Sequence, residues 1–155
     1  MLLEHKADLV GVVPPFAYDP QLLEKGRVLF KMKEGLGATQ MIVMAARTPF
    51  LQKNRPAVQD FFEDMVRALH WYLDPANRKE AIAIVSAYTK QPPERFEGYL
   101  FTKRDYYRDP DARPNLDALQ RNVDTQKELG FLPEKLDVRK YTDLSFMEEA
   151  AKRLR

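Results

Sequence analysis

"TQMIVMAARTPFLQKNRPAVQDFF", residues 39–62, changes character halfway along, and the fold class turns on that change. From Thr39 to Ala46 the residues are uncharged and nearly continuous in apolar character, which reads as a long strand. From Thr48 the pattern becomes helical. Thr48 is placed to cap a one-turn helix over 49–53. Asn54 is placed to cap a long helix, with Pro56 in its first turn, where a missing N–H costs little. Val58, Phe61, Phe62, Met65, Val66, Leu69, Tyr72 and Leu73 then recur at steps of three and four, an amphipathic stripe.

Upstream, Leu9 to Val13 read as a short buried strand, ended by Pro14, which cannot donate to a ladder. Pro15 suits the first turn of a helix. Residues 16–25 form a short helix interrupted by Pro20 and closed by Gly26. Arg27 to Lys31 read as a second strand, and Gly35-Leu36-Gly37 as a loop. Downstream of the long helix, Asp74-Pro75 stop it and cap a helix over 75–89, with Ala81, Ile82, Val85 and Tyr88 inward. Pro92-Pro93 start a shorter helix bearing Phe96, Tyr99 and Leu100. Residues 103–114 form a polar, aromatic loop. Asn115 caps a helix with Leu116, Leu119, Val123 and Leu129 inward, closed by Gly130. Residues 134–141 are irregular, and Thr142-Asp143 start a last helix with Leu144, Met147, Ala151 and Leu154 inward. Three strands before residue 47, with a helix between the first two, predict an α/β chain: a β-rich part over 1–46, then a helical part over 47–155. Three strands are too few for a satisfactory sheet alone.

Bulk composition narrows function by exclusion. The 155 residues carry 25 Lys and Arg against 23 Asp and Glu, a net charge of +2, and the signs are interspersed, so nucleic acid is not an expected partner. There is no cysteine, which excludes disulfides and thiolate chemistry. No apolar run reaches the length of a membrane span. Glu4, His5 and Lys6 fall where a signal peptide needs its apolar core, so no export signal is expected in the chain as given.

The motifs argue against catalysis. "GLGATQ" (35–40) resembles a nucleotide loop, but Gln40 replaces the third glycine and a strand follows in place of a helix. His5 and His70 have no partners at metal-ligand spacing, so no metal or cofactor is expected. Glu63-Asp64 and Glu148-Glu149 fall on polar helix faces. Ser86 and Ser145 lack a nucleophile elbow. "KRDYYR" (103–108) interleaves charge with aromatics, as single-strand nucleic-acid sites do, but one cluster in balanced charge reads as a loop packing its tyrosines on helices.

Several blocks occur in a telling order: DLVGVVPPFA, GRVLF, a strand ending AAR, TPFLQKNRPAV, a long helix leading to DPANR, and finally GFLPEKLDVR. This ordered set resembles the C-terminal half of nitrate/sulfonate/taurine-type substrate-binding proteins of ABC importers. Pyrimidine-precursor synthase-like proteins of thiamin biosynthesis share that fold. The resemblance implies a partial periplasmic-binding-protein (type II) fold. Residues 1–46 would be the remnant of the second lobe with the strand returning between lobes, residues 47–155 its helical part, and the N-terminal lobe would be absent. It implies a small, anionic solute held between lobes, an ABC permease as partner, and a periplasmic or lipid-anchored location for the whole receptor. The strand of Val10 to Val13 would end at the cleft, placing Pro15 and Phe16 on its wall, with Thr39 and Gln40 facing ligand from the return strand. Gly35 and Gly37 would permit close backbone approach there, and Arg47 would stand just after the strand. Unpaired sheet edges would favour a homo-oligomer. Two other readings compete: a stand-alone helical interaction or oligomerisation module without ligand, and a pyrimidine-precursor synthase-like enzyme, whose histidine and metal motif has no match here.

Overall fold

The computed structural model describes residues 1–154, and those residues form helices and 3-10 turns joined by irregular chain. No strand occurs among the described residues, which overturns the expected α/β, partial periplasmic-binding-protein architecture and its β-rich N-terminal part. The three strand-type segments are non-helical but unpaired. Among the described residues, no N–H of 9–13, 27–30 or 41–46 donates to a backbone carbonyl outside its own element. Leu9, Val12 and Val13, then Val28 to Phe30, then Met41 to Met44 are all exposed. The physical reason is that strand propensity describes how a side chain fits a partnered, half-buried surface. A segment can have that composition and still lack the second backbone that satisfies its donors and acceptors. A lone pair of strands is in any case marginal in water. The expected oligomer through sheet edges loses its basis in the same way, since no sheet edge exists among the described residues.

The helices fall in two compact units, interleaved along the chain. The first comprises Met1–Phe30 and Tyr72–Tyr107. Its α1 spans Pro20–Lys25. The side chain of Asp19 accepts from the N–H groups of Gln21 and Leu22, so Pro20 starts this helix where an interruption was expected. Phe16–Tyr18 form a separate 3-10 turn before it, after a cis Pro14–Pro15 bond. Gly26 ends α1 because a Cβ there would stand 2.7 Å from the Leu22 carbonyl oxygen.

Numbering onward from α1, two further helices belong to this unit. Asp74 caps a 3-10 turn, Pro75–Asn77, and the helix proper, α5, runs Arg78–Thr89. A short α6, Glu94–Glu97, follows Pro92-Pro93 as expected. Ile82, Phe96, Tyr99 and Leu100 form the core, with Tyr18, Val85 and Phe101 packed against it. Burial of each of the larger side chains contributes about 1.5–3 kcal/mol. Tyr88, expected inward, is exposed. It stands about 20° round the helix from buried Ala81, two turns earlier, but lies in the last turn of α5.

The second unit comprises Lys31–Trp71 and Arg108–Arg155. Its helices are α2 (Met32–Leu36), α3 (Thr48–Lys53), α4 (Arg55–Leu73, whose last two residues belong to the first unit), α7 (Leu116–Glu128) and α8 (Ser145–Arg153). Gly35 and Leu36 lie inside α2, and Gly37, at φ +69°, ends it. Asn54 stands at the start of α4 and also closes α3. Its side-chain amide donates back to the Phe50 carbonyl, closing α3, while its own carbonyl accepts from Val58. Along α4, Val66 is fully buried and Phe62 stacks on Phe146 of α8, ring centroids 5.7 Å apart. The Arg55 guanidinium also lies over the Phe146 ring, 4.5 Å from its centroid. Gln59, the one buried polar residue among those described, donates to the Phe146 carbonyl at 3.1 Å. Phe146 is therefore the hub of the α4–α8 contact, which the expected inward set of the last helix omitted.

Asn115 caps α7 as expected, its side chain accepting from the Ala118 N–H at 2.9 Å. Ala118 is completely buried, and Leu129, expected inward, is exposed because the helix ends at Glu128 before reaching it. Gln120 holds the following chain against α7. It accepts from the Val138 N–H and donates to the Leu136 carbonyl, and Val138–Tyr141 form a 3-10 turn where irregular chain was expected.

Candidate functional site

Of the four residues expected at a ligand cleft, Pro15 and Phe16 belong to the first unit, Thr39 and Gln40 to the second. In the first unit, Pro15 is the cap of the Phe16–Tyr18 turn and Phe16 exposes half of its surface. The Arg95 guanidinium sits 5.8 Å from the Phe16 ring centroid. Arg95 is held in place from two sides. One nitrogen donates to Asp19 at 2.8 Å and another to Gln91 at 2.7 Å. Asp19 thereby does two jobs: one oxygen caps α1 and the other orients Arg95. In the same unit, Tyr18 stacks on Tyr99 with centroids 5.0 Å apart, and its hydroxyl donates to the Arg104 carbonyl. The result is a cation held beside an aromatic ring by Asp19 and Gln91.

That arrangement has a definite chemical capacity. Arginine carries five N–H donors in a planar fork, and Asp19 and Gln91 take one each. The remaining donors suit a carboxylate or sulfonate, and the exposed Phe16 face suits an apolar or aromatic body beside it. Sequence reading did not find Arg95, Asp19 or Gln91 for this site. Asp19 and Arg95 are 76 residues apart, and no periodicity or spacing rule connects them. Asp19-Pro20 carries a local helix-start signal, but Pro20 reads there as an interruption of a helix over 16–25.

In the second unit, Thr39 is exposed, but Gln40 is occupied by its own chain. Its side-chain carbonyl accepts from the Asn115 N–H at 2.8 Å, its amide donates to the Ile42 carbonyl at 2.7 Å, and its main-chain carbonyl accepts from Asn122 at 2.9 Å. Arg121 donates to the Ala38 carbonyl. Gln40 is thus a tether joining 38–42 to α7.

A groove of about 550 Å³ lies along α4 and α8, lined by Arg55, Gln59, Asp60, Ser145, Glu149 and Arg153 among others. Its cations are engaged: Arg55 donates to the Ser145 hydroxyl, and Arg153 pairs with Glu63 and Glu149. At its edge, hydrogen bonds from the Ser145 hydroxyl and N–H hold the Asp143 carboxyl below the usual aspartate range, with Arg55 adding to the effect. Elsewhere, the His70 imidazole lies 3.5 Å from Asp111, half-buried, and Arg113 also approaches Asp111. Tyr106 and Tyr107 are exposed, contrary to the expectation that their loop packs them away. Among the described residues, no three His, Asp or Glu side chains converge as a metal site would require, and no helix is long and apolar enough to cross a membrane. No family model, curated protein or solved structure matches the chain.

Proposed function

We propose that this chain is the solute-binding component of an ABC importer, the C-terminal portion of a receptor for a small anion of sulfonate, nitrate, taurine or aromatic-acid chemistry. The observation that carries it is the Arg95 guanidinium fixed beside the half-exposed Phe16 ring, a pairing suited to an acid with an apolar body. The ordered sequence blocks from DLVGVVPPFA to GFLPEKLDVR support the same reading. The reading does not rest on a sheet within these residues. In it, Phe16 and Pro15 form one wall of the ligand site and Arg95, already ion-paired with Asp19, offers its remaining N–H donors. The protein binds and releases its solute without transforming it, works outside the cytoplasmic membrane, and delivers to a permease.

The test is a ligand panel of nitrate, taurine, alkanesulfonates and aromatic acids, read by thermal shift and then calorimetry. A ligand that binds the folded state raises the melting temperature in proportion to its saturation. Phe16→Ala and Arg95→Ala are each expected to weaken the best ligand at least tenfold, about 1.4 kcal/mol. A panel with no binder, or a binder indifferent to both substitutions, rejects the reading.

A further inference from the structure

We propose that Met32, Met41 and Met44 form a reversible oxidation site, at which a peroxide converts exposed thioethers to sulfoxides without disturbing the helices. The inference is independent of the receptor reading. The first observation is where the chain keeps its sulfur. It has no cysteine, so all of its sulfur lies in six methionines. Met32, Met41 and Met44 belong to the second unit and are 59%, 68% and 65% exposed. Met147, on α8 of the same unit, is 8% exposed, and Met65, on α4, is partly buried. Oxidation follows access to the sulfur, and here no thiolate competes for the oxidant. Exposure is the property this chemistry needs, and no partner enters it.

The second observation is what holds these segments. Asn122 donates to the Gln40 main-chain carbonyl, the Asn115 N–H to the Gln40 side chain, the Gln40 amide to the Ile42 carbonyl, and Arg121 to the Ala38 carbonyl. At the start of α2, the Lys31 N–H donates to the Glu34 carboxylate at 2.9 Å. Every donor and acceptor in these bonds is nitrogen or oxygen, so a change at sulfur leaves them in place. Met147 is different. A sulfoxide there would put a polar group into the packing of α8, which costs stability.

The step is a two-electron oxygen transfer. A sulfur lone pair attacks one peroxide oxygen, the S–O bond forms as the O–O bond breaks, and the departing hydroxide takes the proton left on the transferred oxygen. One thioether and one hydrogen peroxide give one sulfoxide and one water. Reversal takes a thiol-dependent reductase: two thiols become a disulfide, the oxygen leaves as water, and the thioether returns. Sulfoxides at 41 and 44 reduce the apolar run Met41 to Met44 to Ile42-Val43 alone, so the polarity of this surface follows its exposure to oxidant.

The experiment exposes the whole chain to hydrogen peroxide, folded and in urea, and follows each methionine by peptide mass spectrometry. Peptide mapping separates the three from Met1, which is exposed in the first unit. In the folded chain Met32, Met41 and Met44 are expected to gain oxygen about tenfold or more faster than Met147. In urea all four are expected to react at one common rate, close to that of the three in the folded chain. Helix content by circular dichroism is expected to stay at its starting value once the three have reacted, and reductases for the two sulfoxide epimers are expected to restore the original mass. The triple variant Met32→Leu, Met41→Leu, Met44→Leu keeps the apolar bulk and is expected to lose these three fast reactions while Met147 stays slow. Met147 reacting as fast as the three in the folded chain, any of the three slowed tenfold by folding, helix lost as the three react, or sulfoxides that the reductases leave in place each overturns the proposal. None of these outcomes touches the Phe16–Arg95 ligand test.

Discussion

Replacing Gln40 separates a structural role from a binding one. Its side chain makes two hydrogen bonds, one from the Asn115 N–H and one to the Ile42 carbonyl, at 2.8 and 2.7 Å. A hydrogen bond of this kind contributes about 0.5–1.5 kcal/mol net, and Gln40 is only partly buried, so water takes up some of the loss. Gln40→Ala is therefore expected to cost about 1–2 kcal/mol. In a cooperative unit of about 60–100 residues this lowers the melting temperature by about 4–8 °C for each kcal/mol. Gln40→Glu behaves differently. Its carboxylate still accepts from Asn115, and a negative charge at the N-terminus of α7 is favourable by about 0.3–1 kcal/mol. That offsets much of the lost donor to Ile42. The assay is thermal and urea unfolding of wild type, both variants and Thr39→Ala, with hydrogen exchange of the Asn115 amide. Gln40→Ala is expected to melt lower and expose that amide, Gln40→Glu to stay close to wild type, and Thr39→Ala to be silent. Unchanged unfolding and unchanged Asn115 exchange in Gln40→Ala would refute the tether. Lost ligand affinity at unchanged stability would return Gln40 to the binding site.

Phe146→Ala removes the ring that meets both Phe62 and Arg55 and is expected to cost about 3–5 kcal/mol, seen as a large drop in the urea midpoint. Acid stability should report Asp143. Its carboxyl is held down chiefly by the Ser145 hydroxyl, then by the Ser145 N–H. Its stabilising contribution is therefore full above the unfolded pKa, about 3.9, and is lost as pH falls through the lower folded value. Ser145→Ala is expected to flatten the fall of the urea midpoint below about pH 4, and an unaltered slope would remove Asp143 from the account.

The helical parts were legible because their signals are local. Asn115 caps the helix it was expected to cap, Asp74 caps a 3-10 turn just before its helix, and Pro56, Pro92-Pro93 and Gly130 sit where helices begin and end. Phe96, Tyr99, Leu100, Val66, Met147 and Ala151 are buried as their spacing requires. Errors came where a helix position alone does not decide burial. Phe146 became a hub because Phe62 and Arg55 meet it from another helix, and Leu129 was stranded by a helix that stops one residue earlier. Of the candidate site, Phe16 was reached through the family resemblance. Arg95, Gln91 and Asp19 were not, because their meeting is a product of tertiary structure.

The strand-type segments failed for a deeper reason, and that reason carries a consequence. A helix satisfies its backbone within itself, so its formation can be argued from one stretch of chain. A strand borrows half of its hydrogen bonds, so composition fixes what it would bury but not whether a partner exists. Met41 to Met44 have the composition without an internal partner, and yet they are not loose: Gln40, Asn115, Asn122 and Arg121 hold the adjoining backbone. It follows that the segment's attachment and its apolar surface are separable here. Changes at Ile42 or Val43 should leave the helices intact, because both side chains are exposed. Changes at Gln40 or Asn122 should loosen the segment without touching the apolar surface itself.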